Sequence, residues 1–187
     1  VLRLASFAPS QRSLEATMTT TDWTAAMAAA LARSTGPGVS PIETLRAQSG
    51  LDFLRGIVAG RLPRPPISDT LDFYLIEVEP GRAVFQGTPK PSHYNPLGSI
   101  HGGWPATLLD SCMACAVHST LPAGQGYTTV EFKLNLVRPI FGETGPLRAE
   151  GKVVNGGRTI ATSEGRLVGP DGRLYAHGTE TCLLFPL

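Results

Sequence analysis

The segment Ser92–Asp110, SHYNPLGSIHGGWPATLLD, gathers the residue types that acyl transfer needs. Asn95 offers an amide, His101-Gly102-Gly103 makes a turn into what reads as a helix, and Asp110 supplies a carboxylate. Gly102 and Gly103 have no side chain to hold a ligand away from the backbone N–H groups at the helix start. Those donors lie at the positive end of the helix dipole, where a carbonyl oxygen gaining negative charge is stabilised. Asp110 is the only carboxylate between Gly87 and Val130, and its neighbours are apolar or small. Charges are rarely placed there without a task.

These residues must be held by a framework, and the chain reads as two parts. Thr20 or Thr21 before Trp23 is a plausible N-cap for an Ala-rich helix over 23–33, stopped by STGPGVSP. Ser40-Pro41 with Glu43 resembles a capping box opening a second helix from Pro41 to about Arg55. RLPRPPISDT reads as a proline-rich linker that no helix or central strand tolerates. Beyond about Ile67 the texture changes. LDFYLIEVEP and GRAVFQGTP predict a hairpin turning at Pro80-Gly81, and 103–119 predicts a long apolar helix. YTTVEFKLNLVRP, PLRAEGKVVNGG, RTIATSEGRLVGPDG and RLYAHGTETCLLF predict four more strands, with turns at Gly156-Gly157 and Asp171-Gly172. Short turns favour an antiparallel sheet, and one buried helix must pack on its face, which makes an α+β class. The expected organisation is an upstream extension over 1–17, an N-terminal helical arm and linker over 18–67, and the main domain over 68–187. The extension reads as disordered or peripheral, with a transit peptide as its alternative given Arg3 and Arg12.

The totals narrow the function classes. With 187 residues and 42% hydrophobic composition there is enough chain for one core plus an appendage. A formal net charge of +1 gives no electrostatic reason to expect nucleic acid or an anionic membrane as partner. No apolar run reaches the roughly 20 residues of a spanning helix. The odd count of three cysteines does not look like a disulfide framework, so a cytoplasmic location is expected.

Asn95, His101-Gly102-Gly103 and Asp110, followed by YTTVEFKLNLVRP, resemble the hotdog-fold acyl-CoA thioesterases of the phenylacetate-degradation (PaaI-type) family. The resemblance covers residues 68–187 and implies an antiparallel sheet wrapped around one long central helix. It implies that Asp110 is general base or nucleophile toward the thioester, that Asn95 and the Gly102 N–H polarise its carbonyl, and that His101 fixes the loop. Thr129 is the best match for a hydroxyl supporting the Asp, with Thr128 the choice if the register differs by one. Gly103, Trp104, Thr128, Arg138 and Arg158 are the expected substrate-binding positions, the two arginines toward Coenzyme A phosphates. The implied substrate is an aromatic (phenylacetyl-like) or medium-chain acyl-CoA, with Coenzyme A part of the substrate and no separate cofactor or metal. Trp104 and Pro105 depart from the small aliphatics common after HGG in the family; if Trp104 faces the acyl channel, it shortens or reshapes it.

Spacing adds an inference about assembly. Gly102 and Asp110 are eight residues apart, about 12 Å along one helix. A carbonyl held at a helix's own first turn cannot touch that helix's Asp110. A site using both needs a second, antiparallel copy, hence an obligate homodimer with two composite sites and a dimer of dimers as the next order. Ala106, Thr107 and Ala114 are small enough for close approach.

Each signal has a plainer reading. Asn95-Pro96 is a natural turn pair, His101 a loop histidine, the glycines a close-packing device, Asp110 a solvated helix residue, and the arginines solvated strand ends. Cys112-x-x-Cys115 with His118 has redox or metal spacing, yet inside an apolar helix small cysteines are core residues. His93 and His177 have no partner at readable spacing. Two other functional classes compete with hydrolysis: a hotdog enoyl-CoA hydratase, whose Asp-His or His-Glu pairs do not stand at matching places, and a non-catalytic acyl-CoA sensing module with no use for Asp110.

Overall fold

A computed structural model describes residues 19–187, so the expected extension over 1–17 lies outside the described residues. Four helices come first: α1 (Thr20–Arg33), α2 (Ile42–Ala47), α3 (Gly50–Val58) and α4 (Pro66–Leu71). Strands β1 (Phe73–Glu79) and β2 (Arg82–Gly87) follow, then the long helix α5 (Gly103–His118). Strands β3 (Gln125–Leu136), β4 (Leu147–Gly156), β5 (Ile160–Val168) and β6 (Leu174–Pro186) complete the chain. The six strands form one antiparallel sheet in the order β1-β2-β4-β5-β6-β3, the hotdog arrangement with α5 in its curl. No described helix is long and apolar enough to cross a membrane.

The core follows from α5. Leu108, Leu109, Cys112, Met113, Ala116 and Val117 have no exposed surface, and they meet Leu147, Ala149, Leu167 and Ala176 from the sheet. Contact this close needs glycine: a methyl group on Gly151 of β4 would overlap the Cys112 carbonyl, so the strand backbone lies directly on the helix. One stripe of α5 is left uncovered within the protomer. It carries Gly103, Ala106, Thr107, Asp110 and Ser111, at three- and four-residue spacing.

The arm differs from the sequence expectation at three points. Helix α1 is capped by Thr19, not Thr20 or Thr21, because Asp22 sits three residues on and closes a reciprocal pair, Asp22 N–H to Thr19 Oγ1 at 3.2 Å and Thr19 N–H to Asp22 Oδ2 at 2.7 Å. The expected single helix from Pro41 breaks at Gln48–Ser49, where Ser49 Oγ accepts the Asp52 N–H and starts α3; no capping box forms at Ser40, whose hydroxyl is buried without a partner among the described residues. The proline-rich segment does contain a short helix, because Pro66 stands in its first turn, where no N–H is needed.

The arm also shares the main core. Leu54 of α3 belongs to the same buried cluster as Trp104 and Met113. Trp23 of α1 is buried under the Arg148 guanidinium, 4.4 Å from its ring centre, and its carbonyl accepts a hydrogen bond from Gln86 Nε2. Helix α3 docks end-on against α5: the Gly50 N–H donates to the Leu121 carbonyl, and a methyl at Gly50 would overlap the His118 carbonyl. Gly50→Ala is therefore expected to cost about 1–3 kcal/mol of overpacking, concentrated in the arm. Native-state hydrogen exchange checks this: α3 amides lose protection while those of β4 and β5 keep theirs.

Candidate active site

Asp110 lies midway along α5 on the uncovered stripe, half-buried. Its Oδ1 is 3.2 Å from Thr129 Oγ1 on β3. A bulge at Val130 makes this contact possible, because β3 skips one residue against β6 between Thr129 and Glu131. Before the bulge Tyr127 and Thr129 face the helix; after it Phe132, Leu134 and Leu136 do, opposite Glu180, Gly178 and Ala176. Thr128 turns to the other face, opposite the exposed Leu183. Burial raises the Asp110 carboxyl above its ordinary range, and the Thr129 hydroxyl opposes the rise.

Sequence reasoning missed a second acid at this point. Glu180 Oε1 is 2.8 Å from the same Thr129 hydroxyl and 3.1 Å from Cys182 Sγ, while its Oε2 is buried with no partner among the described residues. Burial pushes the Glu180 carboxyl up to about 7. A threonine hydroxyl has one proton and cannot donate to two carboxylates at once. With Glu180 protonated the chain is satisfied, Glu180 donating to Thr129 and Thr129 donating to Asp110. The signal was present in the alternation of β6: Ala176, Gly178, Glu180, Cys182 and Leu184 share the core face, and a glutamate stands among small and apolar residues.

The HGG turn sits at the N-terminal end of the helix. His101 Nδ1 accepts the Gly103 N–H at 2.9 Å, which leaves the ring proton on Nε2. The Gly103 donor is thereby used within the turn, while the Gly102 N–H has no partner among the described residues. Asn95 pins its own loop: Oδ1 accepts the Leu97 and Ser99 N–H groups, and Nδ2 donates to Ser99 Oγ at 3.0 Å, leaving one amide hydrogen over. Asn95, Gly102 and Arg138 line one cleft of about 310 Å³, where Arg138 also donates to the Leu174 carbonyl. Asp110, Thr129 and Thr128 line another, of about 790 Å³. Within one protomer Asn95 and Gly102 therefore stand in one cleft and Asp110 in another.

Two expected binding positions lie elsewhere. Trp104 does not face a channel: it is 2% exposed, stacks on His93 and donates to the Leu71 carbonyl, because Gly87 leaves room for its ring in the core. Arg158 is exposed in the β4–β5 turn, at the opposite end of the sheet from Arg138, and lines neither cleft. Cys112 donates to the Leu109 carbonyl, and burial pushes its thiol up and that of Cys115 up to about 12, so both are protonated core groups.

The match to known proteins falls on the same elements. The family model described as the Thioesterase superfamily matches residues 97–176. A candidate esterase of Saccharolobus solfataricus is 32% identical over 106 residues, 57% of this chain and 74% of that protein. Human acyl-coenzyme A thioesterase 13 is 28% identical over 109 residues, 57% of this chain and 76% of its own length. Among solved structures, a phenylacetic acid degradation-related protein of Ralstonia eutropha, a candidate thioesterase, superposes with a TM-score of 0.64 at 28% identity, covering 70% of this chain and 98% of its own.

The Glu180 arrangement has a readable consequence for stability. Its folded-state value of about 7 lies above the ordinary 4.5, so the folded protein holds the proton more tightly. The contribution of Glu180 to stability is fullest below about pH 4.5 and is lost as pH rises through about 7. Glu180→Gln mimics the protonated form and should abolish this fall. Thermal melts at pH 5 and pH 8 check it: the midpoint of the variant relative to wild type rises between the two, and an unchanged difference would show that Glu180 titrates as an ordinary surface acid.

Proposed function

The chain belongs to the thioesterase superfamily, and on that premise we propose that it hydrolyses an acyl-CoA, aromatic or medium-chain, to a free acid and Coenzyme A. The observation that carries the reading is the half-buried Asp110 held by Thr129 at the mouth of a roomy cleft. The thioester carbonyl lies against the Gly102 N–H and the spare Asn95 amide hydrogen of one subunit. Asp110 of its partner activates water, or attacks the carbonyl carbon directly; either way a tetrahedral oxyanion forms and the Coenzyme A thiolate leaves, and on the second route water then hydrolyses the acyl-Asp110 anhydride to the free acid. Arg138, in the Gly102 cleft, is the residue poised for Coenzyme A phosphates. Water and the thioester suffice as reactants.

A homodimer follows from the same geometry. The eight-residue separation of Gly102 and Asp110 and their separate clefts support a site shared between two protomers. The uncovered stripe of α5 is small enough for a second helix to approach. Beside it, Phe132, Leu136 and Val137 are 43%, 58% and 45% exposed, an apolar margin along the edge strand that a second copy would bury.

Asp110→Asn should lower turnover by about 10²–10⁴, read by thiol release from an acyl-CoA panel. Tight binding with no thiol release by the wild type would instead support a sensing module, and water addition to an enoyl-CoA a hydratase. The shared site has its own test: Asp110→Asn and Gly102→Val proteins, each inactive alone, should regain about a quarter of wild-type activity when dissociated and reassociated together, since half the dimers are mixed and each has one intact site. No recovery would place both groups in one subunit.

A further inference from the structure

Past Asp110 the cleft continues along α5 toward its C-terminal end. Ser111, Ala114 and Cys115 form its helical wall, with Tyr127 opposite. A further cleft of about 390 Å³ lies beneath the arm, lined by Val39, Phe53, Ile57, His118 and the same Pro65, Cys115 and Tyr127 that wall the first. The two clefts therefore abut at Pro65, Cys115 and Tyr127. Neither needs a charge partner at its far end: burial holds the His118 pKa down to about 4, so its ring is neutral, and it packs between Phe53 and Tyr127 at 5.6 and 5.1 Å. Apolar side chains also stand open to solvent along the route, Ile67 at 46% and Val39 at 85%.

We propose that the acyl chain runs from Asp110 past Ala114 and Cys115 into the space beneath the arm, making residues 38–65 the wall that selects a straight, medium-length acyl group. This rests on the thioesterase reading. Asp110 and His118 are eight residues apart on α5, about 12 Å at 1.5 Å per residue and roughly the reach of ten extended carbons. A phenylacetyl group ends near Cys115 and leaves the aromatic end of the space unfilled. A chain of about eight to twelve carbons fills it, each buried methylene worth roughly a threefold to fourfold gain in kcat/KM.

The experiment is a thiol-release series over straight acyl-CoAs from C2 to C16 plus phenylacetyl-CoA, with wild type, Cys115→Phe and Phe53→Ala. The wild type should peak near C10. Cys115→Phe plugs the junction and should lower the ratio of C10 to C4 kcat/KM by at least about 30-fold, one buried ring displacing several methylenes. Phe53→Ala opens the far end and should move the peak toward longer chains, so either variant tests the route if the other fails to fold. A wild-type optimum at phenylacetyl or C4, or a chain-length profile that neither variant moves, overturns the proposal. If no acyl-CoA is cleaved, the hydrolase reading fails separately. Calorimetric binding of the same series to the full-length protein then decides the route, since affinity that climbs to C10 and is truncated by Cys115→Phe keeps it, and flat affinity removes it.

Discussion

The seating of α5 in the curl of the sheet is the constraint from which the rest follows. A helix with six fully buried residues along it can be covered by a sheet only if the strand backbones come down onto it, and Gly151 of β4 is where they do. The sheet wraps three sides and cannot wrap the fourth. That open side is where Asp110 is left, wet enough to accept a proton and dry enough for its carboxyl to sit above the ordinary range. The packing that stabilises the fold thereby also leaves Asp110 half-buried on the open side of the helix.

Electrostatics at that place are set by a shared proton. Thr129 stands between Asp110 and Glu180, and two negative charges across a single hydroxyl in a half-dry site would repel one another. Holding the more deeply buried carboxyl protonated relieves the repulsion and orients the threonine proton toward Asp110. Glu180 is thereby linked to Asp110 both through the Thr129 hydroxyl and by charge. Its cost is a buried acid whose ionisation works against folding as pH rises.

The N-terminal arm is not an appendage tied on by a linker. Leu54 and Trp23 are buried against the same core that α5 organises, and Gly50 lets α3 abut the end of α5. A roof over the second half of the central helix results, and the cleft under it shares Pro65, Cys115 and Tyr127 with the cleft of Asp110.

What the sequence by itself determined was the set of elements and the local chemistry. Alternation and turn residues marked all six strands, uniform apolarity marked α5, and Asn95, the HGG turn and Asp110 stood out as residue types suited to acyl transfer. The family resemblance rests on those residues, and the separation of Gly102 from Asp110 followed from helix rise alone. At α1 and α3 the acid three residues on fixed the cap, Asp22 choosing Thr19 and Asp52 choosing Ser49, whereas Ser40, with Glu43 at the same spacing, forms no cap. Tertiary structure decided everything that depends on distant segments meeting. The bulge at Val130 sent Thr129 toward Asp110 and Thr128 away; the β3–β6 register brought Glu180 to a threonine 51 positions earlier; and the gap left by Gly87 drew Trp104 into the core. A period of two or 3.6 residues tells which face a side chain takes within its own element. It says nothing of what stands across the gap, and a single inserted residue reverses the face for every position that follows.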